Sequence, residues 1–326
     1  MQSHRGDFQT ADLLRNVGWS LIPVAAFVLA LHVGARGSFW PPPRPALDTE
    51  RTVLFHQADA CRSTNQAEVL LLGDSSCLMN ISARLLEERL RRPVLNLGTF
   101  SFLDLQAQSL FLREFNRHQA NPPRVVVLLQ HPEALRRLGS DNYYVATLTN
   151  YWAGRDYCEP ESLAGRLSCW LGLEIFNGRL RSRLPMPLPG AYGRRYGFNK
   201  DLEQFMSREK GSAVDPEQIS LSGNPEFRLA ATLERASRAF RAAVPAGAKL
   251  IAGITPVPAR FAGPRYSTRQ AELLRAWGQM LQADLILTNL PPALPDHAFA
   301  RTTHLREDEI PAYTESLAAA LEPTLR

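Results

Sequence analysis

Val69-Leu-Leu-Leu-Gly73-Asp74-Ser75-Ser76 is the stretch on which the fold turns. Four apolar residues in a row, stopped by glycine and aspartate, read as a strand buried on both faces that ends in a turn carrying a serine. Comparable runs recur at Val94 to Leu97, Val125 to Leu129, Leu250 to Ile254 and Leu285 to Leu287. Between them Ser82 to Arg92, Leu103 to His118, Phe227 to Ala243 and Thr268 to Leu281 read as helices; the third carries Leu229, Leu233, Ala236 and Phe240 at helical spacing. Strands alternating with helices predict an α/β domain of three layers, with helices on both faces of a central, mostly parallel sheet. Open sheets of this kind place ligands at the carboxyl ends of their strands, where Ser75 falls.

Two helix starts carry capping signals. Ser267 with Gln270 forms an S-x-x-Q box, and Asn224 followed by Pro225 offers an N-cap with proline at the first helical position. A final helix is expected to run to Leu321. Residues 139–223 break the rhythm with Gly, Pro, Tyr and Trp and only short helical stretches such as Glu161 to Leu171, and read as an irregular insertion. Its aromatics, Tyr143, Tyr144, Tyr151, Trp152, Trp170, Tyr192 and Tyr196, could stack on sugar rings at the mouth of a site or simply pack the insertion onto the core.

Upstream of the domain, a short tail (1–16) precedes Val17 to Ala35, which has no formally charged side chain and is long enough to span a bilayer as a signal anchor. Arg15 and Arg36 bound it, and Trp19 and Trp40 stand where interfacial aromatics belong. A cleaved signal peptide, with Gly34 and Ala35 near its cleavage site, and a buried core helix are the alternatives. Residues 36–50, with Trp40-Pro-Pro-Pro-Arg-Pro45, read as a stiff polyproline spacer, and the folded domain takes up 51–326. An anchor or a signal peptide would put that domain on the extracytoplasmic side of the inner membrane, in the periplasm.

The net charge of +5 comes almost wholly from arginine, because Lys200, Lys210 and Lys249 are the only lysines. These arginines form no stripe and attach to no nucleic-acid module, which argues against a nucleic-acid binder and suits anionic lipid or polymer. Cys61, Cys77, Cys158 and Cys169 lack metal-site spacing, so no metal is expected; an even count suits an oxidising compartment. Cys158 with Cys169 is the favoured pair, with free buried thiols as the alternative. No nucleotide or metallo-hydrolase motif occurs, and no cofactor is implied.

Ser75 is not on a G-x-S-x-G elbow, since position 77 is Cys77. A hydroxyl needs a base, and the segment Leu294-Pro-Asp-His-Ala-Phe299-Ala-Arg-Thr-Thr-His304-Leu305 supplies His304 just before the last helix. Together these residues resemble the SGNH/GDSL hydrolase family, particularly its membrane-anchored members associated with bacterial exopolysaccharide O-acetylation. The resemblance runs over about residues 66–322, the insertion excepted, and implies a flavodoxin-like fold. It makes Ser75 the nucleophile, with its own amide in the oxyanion hole, and His304 the base. Asn96-Leu-Gly98-Thr99 matches the family's second block, so Gly98 would give the next amide donor.

Where the family has an asparagine, this chain has Gln130-His131-Pro132-Glu133; the third donor would be the Gln130 amide or the His131 ring N–H. Arg301 stands where D-x-x-H has its aspartate. The acid would then be Asp296 or a main-chain carbonyl, with Arg301 free to face an anionic substrate. The function implied is an exported serine esterase or O-acyltransferase acting on acyl esters of a polysaccharide. The alternative is a degenerate domain that binds polymer or docks a membrane O-acyltransferase.

Overall fold

The computed structural model describes residues 10–36, 48–63, 66–100, 103–136, 142–153, 186–223 and 228–325. The chain divides into two compact units, one of Met1–Ala46 with Thr149–Pro185 and a larger one of Leu47–Leu148 with Met186–Arg326.

The larger unit is built on five strands: β1 (Val69–Gly73), β2 (Val94–Asn96), β3 (Val125–Gln130), β4 (Lys249–Ile254) and β6 (Leu285–Ile286). All pair in parallel, in the order β2-β1-β3-β4-β6. The five apolar runs of the sequence are these five strands. β1 and β3 are buried along their whole length, which explains why neither alternates with polar residues. The chain leaves β1 toward β2 on one side, and β3 lies on the other. That reversal opens a crevice at the carboxyl end of β1, where open α/β sheets bind ligands. β5 (Val257–Pro258) and β7 (Ala293–Leu294) form a small parallel pair; β8 (Phe299–Arg301) and β9 (His304–Leu305) form an antiparallel one.

Alternate strand residues sort the two faces. Val69, Leu71, Val125, Val127, Leu129 and Ile251 cluster with α3 (Ser75–Asn80), α4 (Ala83–Leu90) and the last helix, α12 (Ile310–Leu325). On the other side α2 (Thr49–Arg62), α5 (Leu105–His118), α10 (Leu233–Arg241) and α11 (Tyr266–Leu281) pack side by side, with α11 against β4. Helices on both faces of a parallel sheet make the expected three-layer α/β architecture. The remaining described helices are α1 (Thr10–Arg36), α6 (Pro132–Leu135), α7 (Asn142–Trp152), α8 (Gly190–Tyr196) and α9 (Asn199–Arg208).

Several expectations are corrected. The S-x-x-Q box does not open a helix: α11 begins at Tyr266 with Arg265 at the N-cap, so Ser267 is already inside it. The helix expected from Phe227 starts at Leu233; its proposed cap at Asn224-Pro225 lies outside the described residues. Tyr192 and Tyr196 do not face a groove. Each is 8% exposed and packs with Leu188, Leu202 and Met206, the packing alternative. Cys61 and Cys77 are free and buried, whereas Cys158, Cys169, Trp170 and Glu161 to Leu171 lie outside the described residues.

α1 forms over the whole of the expected span, with Pro23 inside it. Its described large apolar side chains stand open, among them Trp19, Leu21, Ile22, Val24, Leu29 and Val33. Among the described residues no helix is long and apolar enough to cross a membrane.

Candidate active site

Gly73, Asp74 and Ser75 each have a distinct physical task at the end of β1. A Cβ on Gly73 would lie 1.9 Å from the Leu129 carbonyl oxygen, so only glycine lets β1 stay against β3 here. Asp74 caps α3 by accepting from the Ser76 amide, and the same Oδ1 accepts from the Ser76 hydroxyl at 2.5 Å. Its Oδ2 accepts from the His131 amide at the end of β3, and Thr255, just past β4, donates to Ser76 Oγ. One buried carboxylate thus ties three strand ends together. Burial pushes the Asp74 carboxyl up, against the hydrogen bonds from Ser76 and His131 and the charge of His304.

Ser75 is the first residue of α3 and is 6% exposed. Neither its amide nor its hydroxyl is engaged by another described residue. At the far end of the same helix, Asn80 grips the backbone on either side of His304. Its Nδ2 donates to the Thr303 carbonyl at 3.0 Å and its Oδ1 accepts from the Leu305 amide at 2.8 Å. The helix that begins with the serine therefore holds the ribbon that carries the histidine, though the two lie far apart in the chain.

His304 is 4% exposed, and its Nε2 is buried with no hydrogen-bond partner among the described residues. Its Nδ1 meets Asp215 Oδ2 at 2.5 Å. Asp215 comes from the end of the stretch read as an insertion. A segment after α9 runs beside β2, where Asn96 donates its amide to the Lys210 carbonyl. Gly211 follows with φ +88, and a Cβ there would lie 2.0 Å from the Asn96 carbonyl oxygen. Ser212 then accepts from the Ala83 amide and the Asn96 side chain, Ala213 donates to the Leu78 carbonyl, and Val214 exchanges hydrogen bonds with the Tyr196 hydroxyl. These bonds deliver Asp215 with its side chain fully buried.

The Asp215 carboxylate is saturated. Oδ1 accepts from the Glu217 amide at 2.9 Å, and Oδ2 receives both His304 Nδ1 and, at 2.6 Å, Arg301 Nε. The guanidinium approaches as a charge, because its Nε–H is not aligned for a hydrogen bond. Arg301 and His304 face each other across the β8–β9 ribbon, so R-x-x-H places both on one oxygen. Arg301 also donates to Glu217. Burial pushes the Asp215 carboxyl up, but the His304 hydrogen bond and charge, the Glu217 amide and the Arg301 charge outweigh it and hold it below the ordinary carboxylate value.

Four sequence expectations change. Asp296 is not the acid that His304 bonds: it sits in a single 3-10 turn and accepts from both the side chain and the amide of Arg260. The Arg260 amide and guanidinium hold its carboxyl below the ordinary value. Arg301 does not reach for a substrate anion, being tied to Asp215 and Glu217. The Gly98 amide is spent on Asn96 Oδ1 at 2.8 Å. Gln130 gives its side-chain amide to Gln108 at 2.8 Å, so of the two expected third donors only the His131 ring N–H is left: His131 Nδ1 accepts from the Glu133 amide as the N-cap of α6, which puts the ring proton on Nε2.

A sequence reading missed Asp215 because D-x-x-H directed attention to position 301. The signal available was chain order: Ser, then acid, then His is the order of α/β-hydrolase triads, which points to acids between 75 and 304.

A cavity of about 630 Å³ opens beside Asp215, walled by Ala191, Arg194, Pro216, Ala300 and Arg306. Ser75 and His304 are not in its walls, so it flanks the acid end of the arrangement. Among the described residues no group of His, Cys, Asp and Glu is arranged to hold a metal ion. No match to this chain was found among protein-family models, curated proteins or solved structures.

Proposed function

We propose that this protein is a serine esterase or O-acyltransferase of the SGNH type, working through Ser75, His304 and Asp215. The observation that carries the reading is the His304–Asp215 contact at 2.5 Å, on a ribbon clamped by the helix that Ser75 begins. In that chemistry Asp215 fixes the imidazole tautomer by accepting from Nδ1–H, which leaves Nε2 to take the serine proton. Ser75 Oγ then attacks an ester carbonyl, the alcohol leaves with the proton from Nε2, and water or a sugar hydroxyl receives the acyl group. The Ser75 amide, at the start of α3 and without a described partner, is available to donate to the oxyanion.

The substrate class we infer is an acyl ester on a polysaccharide, most simply an O-acetyl group. The setting is the periplasmic face of the inner membrane, with α1 as a single-pass anchor. Open Trp, Leu, Ile and Val side chains along α1 support an apolar surrounding medium. Fractionation tests this: the full chain stays with membranes after an alkaline wash, and a chain lacking 1–36 does not.

The enzymatic reading is tested by turnover of an activated acetyl ester. Hydrolysis in the wild type that drops to background in both Ser75→Ala and His304→Ala supports it; hydrolysis unchanged in either variant rejects it. One observation favours a second reading, a binding domain that docks a membrane O-acyltransferase. Two groups suited to an oxyanion hole, the Gly98 amide and the Gln130 side-chain amide, are already engaged. Polymer binding or co-purification with an acyltransferase, without ester turnover, would select it.

A further inference from the structure

Arg301 occupies an unusual place for a cation, pressed against the same carboxylate oxygen that holds the base. Removing it would leave Asp215 buried with one positive partner fewer, and adding no substitute would free Glu217 to repel Asp215 two residues away. Charge near a hydrogen-bonded carboxylate–imidazole pair controls both the geometry of that pair and how much negative charge the imidazole feels.

We propose that Arg301, held in turn by Glu217, is a positioning residue that fixes Asp215 against His304 and offsets part of the carboxylate charge that faces the imidazole. This rests on the Ser75–His304–Asp215 reading. The arrangement has two parts. Arg301 Nε contacts Asp215 Oδ2 at 2.6 Å, and its terminal nitrogen is anchored on Glu217, whose amide already donates to Asp215 Oδ1. Arg301 is 30% exposed and Glu217 32%, while the carboxylate they act on is fully buried. The charge that matters is therefore shielded from water, and its influence is little screened.

Other ionisable groups surround the pair: Arg194, Arg195, Arg306, Glu307 and Asp308 line the cavity beside Asp215, with Arg195 paired to Glu307 and Arg306 to Asp308 rather than to Asp215. Asp74, at the β1–α3 turn, adds negative charge near His304. Tyr192 and Tyr196, packed over the Asp215 segment, are pushed up by burial, Tyr196 to about 12, and stay neutral across the working range. Arg301 is the cation in contact with Asp215 among the described residues.

The test is the pH dependence of kcat/KM on an activated acetyl ester with Arg301→Met, Arg301→Lys and Glu217→Gln chains, each checked for wild-type folding by circular dichroism. In Arg301→Met the acid limb should move to higher pH by about one unit, and kcat should fall while KM holds. Arg301→Lys should restore the limb in large part. Glu217→Gln should leave the cation in place, with the limb unmoved or slightly lower. An acid limb at the wild-type position in both Arg301 variants overturns the inference, as does an Arg301→Lys limb that moves as far as that of Arg301→Met. If Arg301→Met does not fold, Arg301→Gln, which removes the charge but keeps a polar side chain, takes its place. Loss of turnover in Ser75→Ala beside an unmoved limb would reject this role while leaving the serine mechanism standing.

Discussion

Asp215 carries the most specific consequence at the level of single residues. Its carboxylate orients His304, whereas Asp296 binds Arg260 at the surface. Asp215→Asn should lower kcat/KM on an activated ester by about a thousandfold to ten-thousandfold, and Asp296→Asn should leave it near wild type; steady-state kinetics of the two variants decides between them. Asp74 is a structural counterpart. Asp74→Ala strips an acceptor from two amides and a buried hydroxyl, and should cost about 2–4 kcal/mol of stability, read from urea denaturation. The places of Ser75 and His304 in the fold were legible because each sits in a short local pattern, one following a buried strand and one preceding the last helix. Asp215 was not legible: its meeting with the imidazole depends on the path of a segment without hydrophobic period. Hydrogen-bond commitments were equally invisible, since no pattern tells that Asn96 will claim the Gly98 amide.

Among the elements, β1 to β4 could be read directly because burial on both faces leaves a nearly unbroken apolar run, whereas β6 is a short edge strand with Leu285 exposed. Helix ends were harder. Ser267 and Gln270 have the residues of a capping box, yet the chain is already helical at Tyr266, because packing of Tyr266 and Leu273 into the core overrides a cap signal of about 1 kcal/mol. The region read as insertion contains α8 and α9, whose job is to seat the segment 211–215 against β2 and α3. Gly211 is the point of closest approach in that segment. Gly211→Ala would force a side chain into a left-handed backbone and onto the Asn96 carbonyl, costing about 1–3 kcal/mol in backbone strain beyond the clash. A lowered midpoint in thermal unfolding together with reduced ester turnover is the expected result, since the same segment delivers Asp215.

For the molecule as a whole, pH connects folding to the site. A carboxyl held below its ordinary value stabilises the fold above about pH 4 and loses that contribution as pH falls through its folded value. Asp215 behaves this way. Asp74, pushed up, works in the opposite sense: its burial costs stability as pH rises through its ordinary value toward the folded one. The stability advantage of the wild type over Asp215→Asn should therefore be full at pH 7 and shrink in acid, measured as urea midpoints across pH. The sheet, its crevice and the serine at its rim follow from the order of apolar runs, while the tie between α3 and the ribbon that carries His304 is made by Asn80, which no sequence rule singles out.

The most direct measurement is covalent labelling by a fluorophosphonate with mass analysis of the peptides. A single adduct on the Ser75 peptide of the wild type, absent in Ser75→Ala and formed at least about a hundredfold more slowly in His304→Ala, is the predicted result. An unlabelled wild type, or an adduct that survives Ser75→Ala, would contradict the account.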